Sequence, residues 1–169
     1  MGNRSGATRH NAFEPRAQAP HGQLGTKRMG ELAELAFMYK AASLDFGVAK
    51  PYGDSRPYDF LLQHGSRVLR IQVKSVFTTN RGEKRFCYSV NVFQTHYKKG
   101  IAHYSANDID FIAAFVAPHN AWYLIPIESL STRKSIHLYP AGKKKRTAGL
   151  FEHYREAWHL LKDQAEPDG

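Results

Sequence analysis

Arg67-Val68-Leu69-Arg70-Ile71-Gln72-Val73-Lys74-Ser75-Val76-Phe77 is the stretch on which the fold turns. Leu69, Ile71 and Val73 fall on one side, and Arg70, Gln72 and Lys74 on the other. That period of two marks a strand with one apolar face. Just upstream, Tyr58 to Gln63 reads as a second strand, and His64-Gly65-Ser66 as the hairpin turn between them. The hairpin brings Asp59 beside Gln72 and Lys74. In Pro57-Tyr58-Asp59-Phe60-Leu61-Leu62 a charge interrupts an otherwise apolar strand.

Toward the N-terminus, Thr26 is placed to cap a helix running to about Leu44 or Asp45, with Gly47 as the stop signal. Leu32, Leu35, Ala36 and Tyr39 make one stripe. Ala33, Phe37, Met38, Ala41 and Leu44 cover most of the rest, so the pattern predicts a helix enclosed by protein nearly all round. Glu31 and Glu34 stand out on it. They lie about 60° apart by helix geometry, and an enclosed carboxylate needs a partner or a metal. The plain alternative is pairing with Lys27, Arg28 or Lys40.

Toward the C-terminus, Val48-Ala49-Lys50 reads as a short strand, 51–57 as a loop, 84–93 as a strand and 94–108 as a loop without clear periodicity. Asp108 to Val116 and Trp122 to Ile127 are apolar and strand-like. Ile136 to Tyr139 reads as an edge strand. Leu150 to Leu161 reads as an amphipathic helix with Phe151, Tyr154, Trp158 and Leu161 on one stripe. Residues 1–24, rich in Gly, Pro, Ala, Asn and Arg, read as a flexible basic arm, leaving 25–165 as one domain. The order helix, strands, helix indicates an α/β (α+β) fold with a mixed central sheet.

The chain has 169 residues, enough for one domain with a single core. Lys and Arg number 24 against 15 Asp and Glu, a net charge of +9. That excess implies an anionic partner, most commonly nucleic acid. Arg70, Lys98, Lys99 and the run Lys143-Lys144-Lys145-Arg146 are the candidate phosphate contacts; Gln94, His96, Tyr97, His103 and Tyr104 mix aromatics with the cations of that loop. A single cysteine, Cys87, excludes an internal disulfide and a Cys-rich zinc site, and its apolar setting predicts a buried thiol. His96 and His103 lack a third ligand in pattern. Neither a nucleophile elbow nor a phosphate-cradling glycine motif is present. Trp122 and Trp158 are expected in the core. With no apolar run long enough to span a bilayer and no apolar signal core, the expectation is a cytoplasmic protein without a membrane partner.

Phosphodiester hydrolysis needs a placed water, neutralised charge and support for the leaving oxygen, which a divalent metal supplies. Mg²⁺ takes hard oxygen ligands. Asp59 offers the central carboxylate, Gln72 its amide oxygen, Val73 its carbonyl and Glu34 the helix carboxylate, with Glu31 as the alternative. Lys74 is placed to orient or activate the water.

Several of these segments together resemble the PD-(D/E)XK nuclease superfamily, and within it the branch of group I intron homing endonucleases. They are 26–34, Phe46-Gly47-Val48, Pro57-Tyr58-Asp59, Arg70-Ile71-Gln72-Val73-Lys74-Ser75, Asp108-Ile109-Asp110-Phe111 and 122–127. Archaeal Holliday junction resolvases share a similar opening helix and metal core. The resemblance implies a restriction-endonuclease-like core, a mixed central sheet flanked by helices, and Mg²⁺-dependent DNA cleavage, with Mn²⁺ as a substitute. Glu34, Asp59, Gln72 and Lys74 match the catalytic positions. Gln72 replaces the usual Asp or Glu, as it does in the intron-endonuclease branch. Two alternatives stay open: a junction-resolving or restriction-type nuclease, and a non-catalytic DNA-binding module on a nuclease fold. A symmetric target would ask for a homo-oligomer, a dimer or tetramer.

Overall fold

Strand β3, Arg67–Val76, runs through the middle of the sheet and carries both the core and the site. The computed structural model describes residues 25–53, 55–78, 87–96, 100–142 and 149–163. On one side β3 pairs antiparallel with β2, Phe60–His64, which pairs antiparallel with β1, Gly47–Ala49. Gly65 and Ser66 make the two-residue turn between β2 and β3. Gly65 sits at φ +58°, the left-handed region that favours glycine, and a Cβ there would push on the Asp163 carboxylate, whose Oδ2 would lie 2.8 Å away. On its other side β3 pairs parallel with β7, Phe111–Val116, which pairs antiparallel with β8, Ala121–Pro126. The five-stranded sheet therefore has the order β1-β2-β3-β7-β8 and is mixed, as the sequence indicated.

The alternation in β3 is as read. Leu69, Ile71 and Val73 are buried, and they join Phe60, Leu62, Phe111, Ala113, Phe115, Trp122 and Leu124 in one core. Helix α1, Thr26–Ser43, covers this face through Ala33, Phe37 and Ala41. Phe37 is fully buried, with its ring centroid 5.3 Å from Phe60, 5.5 Å from Trp122 and 5.8 Å from Trp158. The opposite face of β7 and β8 gives Ile112, Ala114, Val116, Tyr123 and Ile125 to a second core. Both strands are thus buried on two faces, which is why they read as unbroken apolar runs. The second core is closed by β4, Tyr88–Asn91, paired with β9, Ser135–Leu138. Cys87, Trp122 and Trp158 are buried, as expected.

Several sequence expectations are corrected. Gly25, not Thr26, is the N-cap, extended and without a side-chain hydrogen bond; Thr26 lies inside the first turn. Asp45 at φ +68° makes the left-handed exit, and Gly47 opens β1 instead of stopping the helix. The helix is not enclosed all round: Leu35, Met38 and Tyr39 are exposed, and only the i, i+4, i+8 line Ala33, Phe37 and Ala41 is fully buried, with Ala36 packing beside it. Part of the expected 94–108 loop is a hairpin of β5, Phe93–His96, and β6, Gly100–His103. β6 is mostly exposed, so there was no burial alternation for the sequence to display.

The expected helix from Leu150 to Leu161 is two 3-10 turns, Glu152–Tyr154 and Trp158–Leu161. Between them Glu156 takes φ +50°. Its N–H donates to the Trp122 carbonyl at 2.8 Å, while its carboxylate accepts the Trp122 N–H at 2.8 Å and Trp158 Nε1–H at 2.9 Å. The edge strand β8 thereby finds partners for exposed backbone groups. Phe151 belongs to the second core, whereas Trp158 and Leu161 belong to the first. The segment wraps the edge of the sheet, and a single helical stripe cannot serve both faces. Flanking by helices therefore reduces to one α-helix among the described residues. The expected basic arm, 1–24, lies outside them.

Candidate active site

The site forms where the β2–β3 ladder runs out. The last paired residues are Phe60 and Ile71. One step further, the Asp59 N–H donates to the Ile71 carbonyl at 2.9 Å. The Asp59 side chain then takes over from the missing backbone: Oδ2 accepts the Val73 N–H at 2.7 Å and Gln72 Nε2–H at 2.6 Å. Gln72 Nε2 also donates to the Val73 carbonyl at 3.2 Å. Asp59, Gln72 and Val73 are thus brought into direct contact.

Lys74, two residues along the same face, lies with Nζ 5.3 Å from the centroid of the Tyr104 ring. Tyr104 is itself buried. Desolvation dominates the electrostatics here. Burial pushes the Asp59 carboxyl up to about 6; the Val73 N–H opposes this, the Glu34 charge adds to it, and Lys74 and Lys50 oppose it. Burial lowers Lys74, and the Asp59 charge only partly restores it. Burial likewise raises the Tyr104 hydroxyl, with Asp59 adding to the shift. The carboxylate and the ammonium are both short of solvation.

Glu34, on α1, is near enough for its charge to act on Asp59. Its Oε2 lies 2.5 Å from Lys50 Nζ. Glu31 instead pairs with Arg28 at 3.3 Å, with both side chains exposed, which is the plain alternative the sequence offered. Among the described residues no cluster of three or more His, Cys, Asp or Glu side chains is placed to hold a metal. The donors the site does offer are two carboxylates, an amide and a backbone carbonyl. These are the hard oxygens a Mg²⁺ ion takes, and too few to exclude water from its shell. A part-buried carboxyl pushed up to about 6 by desolvation fits a position where positive charge is to be added. Gln72 shows its NH₂ to Asp59 and the Val73 carbonyl, and its amide oxygen is the atom it could offer an ion.

Arg70 was expected among the DNA contacts; the structure gives it internal partners. Its backbone N–H donates to Asp110 Oδ2 at 2.6 Å, Nε donates to the same oxygen at 3.1 Å, and Nη2 reaches Oδ1 at 2.8 Å. Its guanidinium also donates to the carbonyls of Asn107 and Ala106. Lys98, Lys99, Lys143, Lys144, Lys145 and Arg146 lie outside the described residues. Sequence reasoning missed two neighbours of the site, Lys50 and Tyr104. The mixture of aromatics and cations in 94–104 was a signal for Tyr104. Lys50, at the end of a three-residue strand, had none.

No helix among the described residues is long and apolar enough to cross a membrane. A family model described as PD-(D/E)XK endonuclease matches residues 24–161. Among solved structures the chain is similar to the bacterial homing endonuclease I-Ssp6803I, at 32% identity and a TM-score of 0.67, covering 80% of this chain and 92% of that one. It also matches Hjc, a Holliday junction resolvase of Archaeoglobus fulgidus, at 14% identity and a TM-score of 0.46, over 81% of this chain and 99% of that one. No curated protein sequence matches it.

Proposed function

The chain belongs to the PD-(D/E)XK endonuclease family, and from that premise we propose that it is a Mg²⁺-dependent DNA endonuclease of the homing type. One observation carries the reading. Asp59, Gln72, the Val73 backbone and Lys74 converge at the end of the β2–β3 ladder, with the Glu34 charge within reach. The net charge of +9 suits a polyphosphate partner.

In this reading Asp59 and Glu34 give carboxylate oxygens to the ion, Gln72 its amide oxygen and Val73 its carbonyl. The bound ion supplies charge neutralisation at the phosphate and acidifies its water; Mn²⁺, with a similar taste for oxygen ligands, substitutes. Lys74 does the local work. Burial shifts it toward the neutral form, and a neutral Nζ would accept a proton as the water oxygen bonds to phosphorus. The bond from phosphorus to the leaving oxygen would then break, and that oxygen would take up a proton from solvent water. In its charged form the same group holds the phosphate. Asp59, fixed by the Val73 N–H, keeps the ion's position from drifting. A symmetric target would be met by a dimer or tetramer of the chain.

The test is cleavage of supercoiled plasmid, linear duplex and four-way junctions by purified protein with Mg²⁺ or with EDTA. Metal-dependent cutting that is lost in Asp59→Ala and Lys74→Ala is the expected result. Absence of cutting by the wild type, or full activity in both variants, overturns the reading. Preference for four-way junctions would move the assignment to a resolvase. Gln72 motivates a second reading, since an amide in place of a carboxylate removes one negative charge from the ion's surroundings. DNA binding that persists in EDTA with no cutting of any substrate would select a catalytically inactive DNA-binding module.

A further inference from the structure

Lys50 is the first residue after β1, and its ammonium sits 2.5 Å from Glu34 Oε2 and 5.8 Å from the Phe60 ring centroid. Glu34 is the carboxylate that the proposed function gives to the metal. Three oxygens of the proposed ligand set each accept an N–H from the chain itself. Asp59 Oδ2 takes those of Val73 and Gln72, the Val73 carbonyl takes that of Gln72, and Glu34 Oε2 takes that of Lys50. These donors are not equivalent. The Val73 N–H is backbone in a central strand, and Gln72 stands on that strand with its amide part-buried. Lys50 reaches Glu34 on a flexible stem with 60% of its side chain exposed. An ion pair so exposed is weak and yields to competition.

We propose that Lys50 is a positioning residue that competes with the divalent ion for Glu34. This rests on the metal-site reading above and extends it. A single positive charge holds the helix carboxylate until a doubly charged ion displaces it. The displaced ammonium would then be free to pair with a phosphate. A phosphate that draws Lys50 away frees Glu34, so loading of DNA and loading of metal favour each other, as reciprocal linkage requires. Lys50 contacts no reacting atom in this scheme. It acts through Glu34.

Binding of Mn²⁺ alone to the full chain, followed by titration calorimetry and by the electron paramagnetic resonance of free Mn²⁺, tests this without any cleavage assay. Four proteins form a cycle: wild type, Lys50→Ala, Glu34→Gln and the double variant. Lys50→Ala is expected to tighten Mn²⁺ binding by about two- to fivefold, the range that the free energy of an exposed ion pair covers as an affinity ratio. In the Glu34→Gln background the gain disappears. Unchanged or weaker binding in Lys50→Ala overturns the proposal. An equal gain in both backgrounds also overturns it, because long-range charge would then explain everything. Asp59→Ala marks the site by abolishing the binding. If the wild type itself binds no Mn²⁺, the metal-site reading falls and this inference with it; that failure is visible before any Lys50 variant is made.

Discussion

Arg70 and Lys74 stand four residues apart on the same face of β3, and the structure treats them in opposite ways. Arg70 meets a carboxylate in two-pronged geometry and two backbone carbonyls besides. Burial would raise the Asp110 carboxyl, but the Arg70 hydrogen bonds outweigh it and hold the group low; the Asp110 hydrogen bond raises Arg70. Both partners are better off charged in the fold than outside it. At Asp59 and Lys74 desolvation wins, and each shifts toward its neutral form. One ionic arrangement is complete and braces the β3–β7 junction. The other is incomplete in charge, the condition expected where catalysis requires groups to change protonation.

The sharpest way to break this contrast is Lys74→Met, which keeps the volume and removes the amine. Cleavage should fall by at least about a hundredfold, in line with the loss of an acid–base group. The urea midpoint should hold or rise, because an undersolvated ammonium leaves the interior. A variant that unfolds more easily yet still cuts would make Lys74 structural. The converse variant is Arg70→Ala. It strips Asp110 of its guanidinium partner, leaving it the backbone N–H of residue 70, and leaves two carbonyls without that donor; it should lower unfolding free energy by about 1–3 kcal/mol, the scale of charge-assisted hydrogen bonds, with cutting reduced only as far as the folded fraction falls. If instead stability holds and DNA affinity drops, Arg70 is the DNA contact that its sequence position suggested.

Why some of this was legible in the sequence follows from the same residues. β2, β3 and their turn were readable because one face of each is buried and Gly65 marks the reversal. From that register the meeting of Asp59 with Gln72 followed at once. The partner of Arg70 was not readable, because Asp110 lies 40 residues away and becomes its neighbour only through the parallel β3–β7 pairing. The segment from Leu150 to Leu161 misled for a related reason. Its apolar residues keep helical spacing, yet hydrogen bonds from Glu156 to β8 pull it round the sheet edge. Local periodicity reports burial without saying which surface does the burying.

Both ionic arrangements can be watched in one pH titration of stability, carried out in EDTA. Asp59 rises in the fold from 3.8 to about 6, so between those limits the folded chain binds more protons than the unfolded one. Stability therefore increases as pH falls from 7 through 6 toward 4, by on the order of 1–2 kcal/mol given the partial solvent access of the carboxyl. Asp110 has the opposite sign. Its depressed value means its contribution is fully present above the unfolded value near 4 and is lost as pH falls through the lower folded value. The wild-type curve should climb on acidification and then turn over. Asp59→Asn should flatten the climb and keep the fall, while Asp110→Asn should keep the climb and soften the fall. A wild-type curve that only declines below pH 7, with Asp59→Asn superimposable on it, would mean that Asp59 is as well satisfied as Asp110, and the distinction between brace and site would be lost.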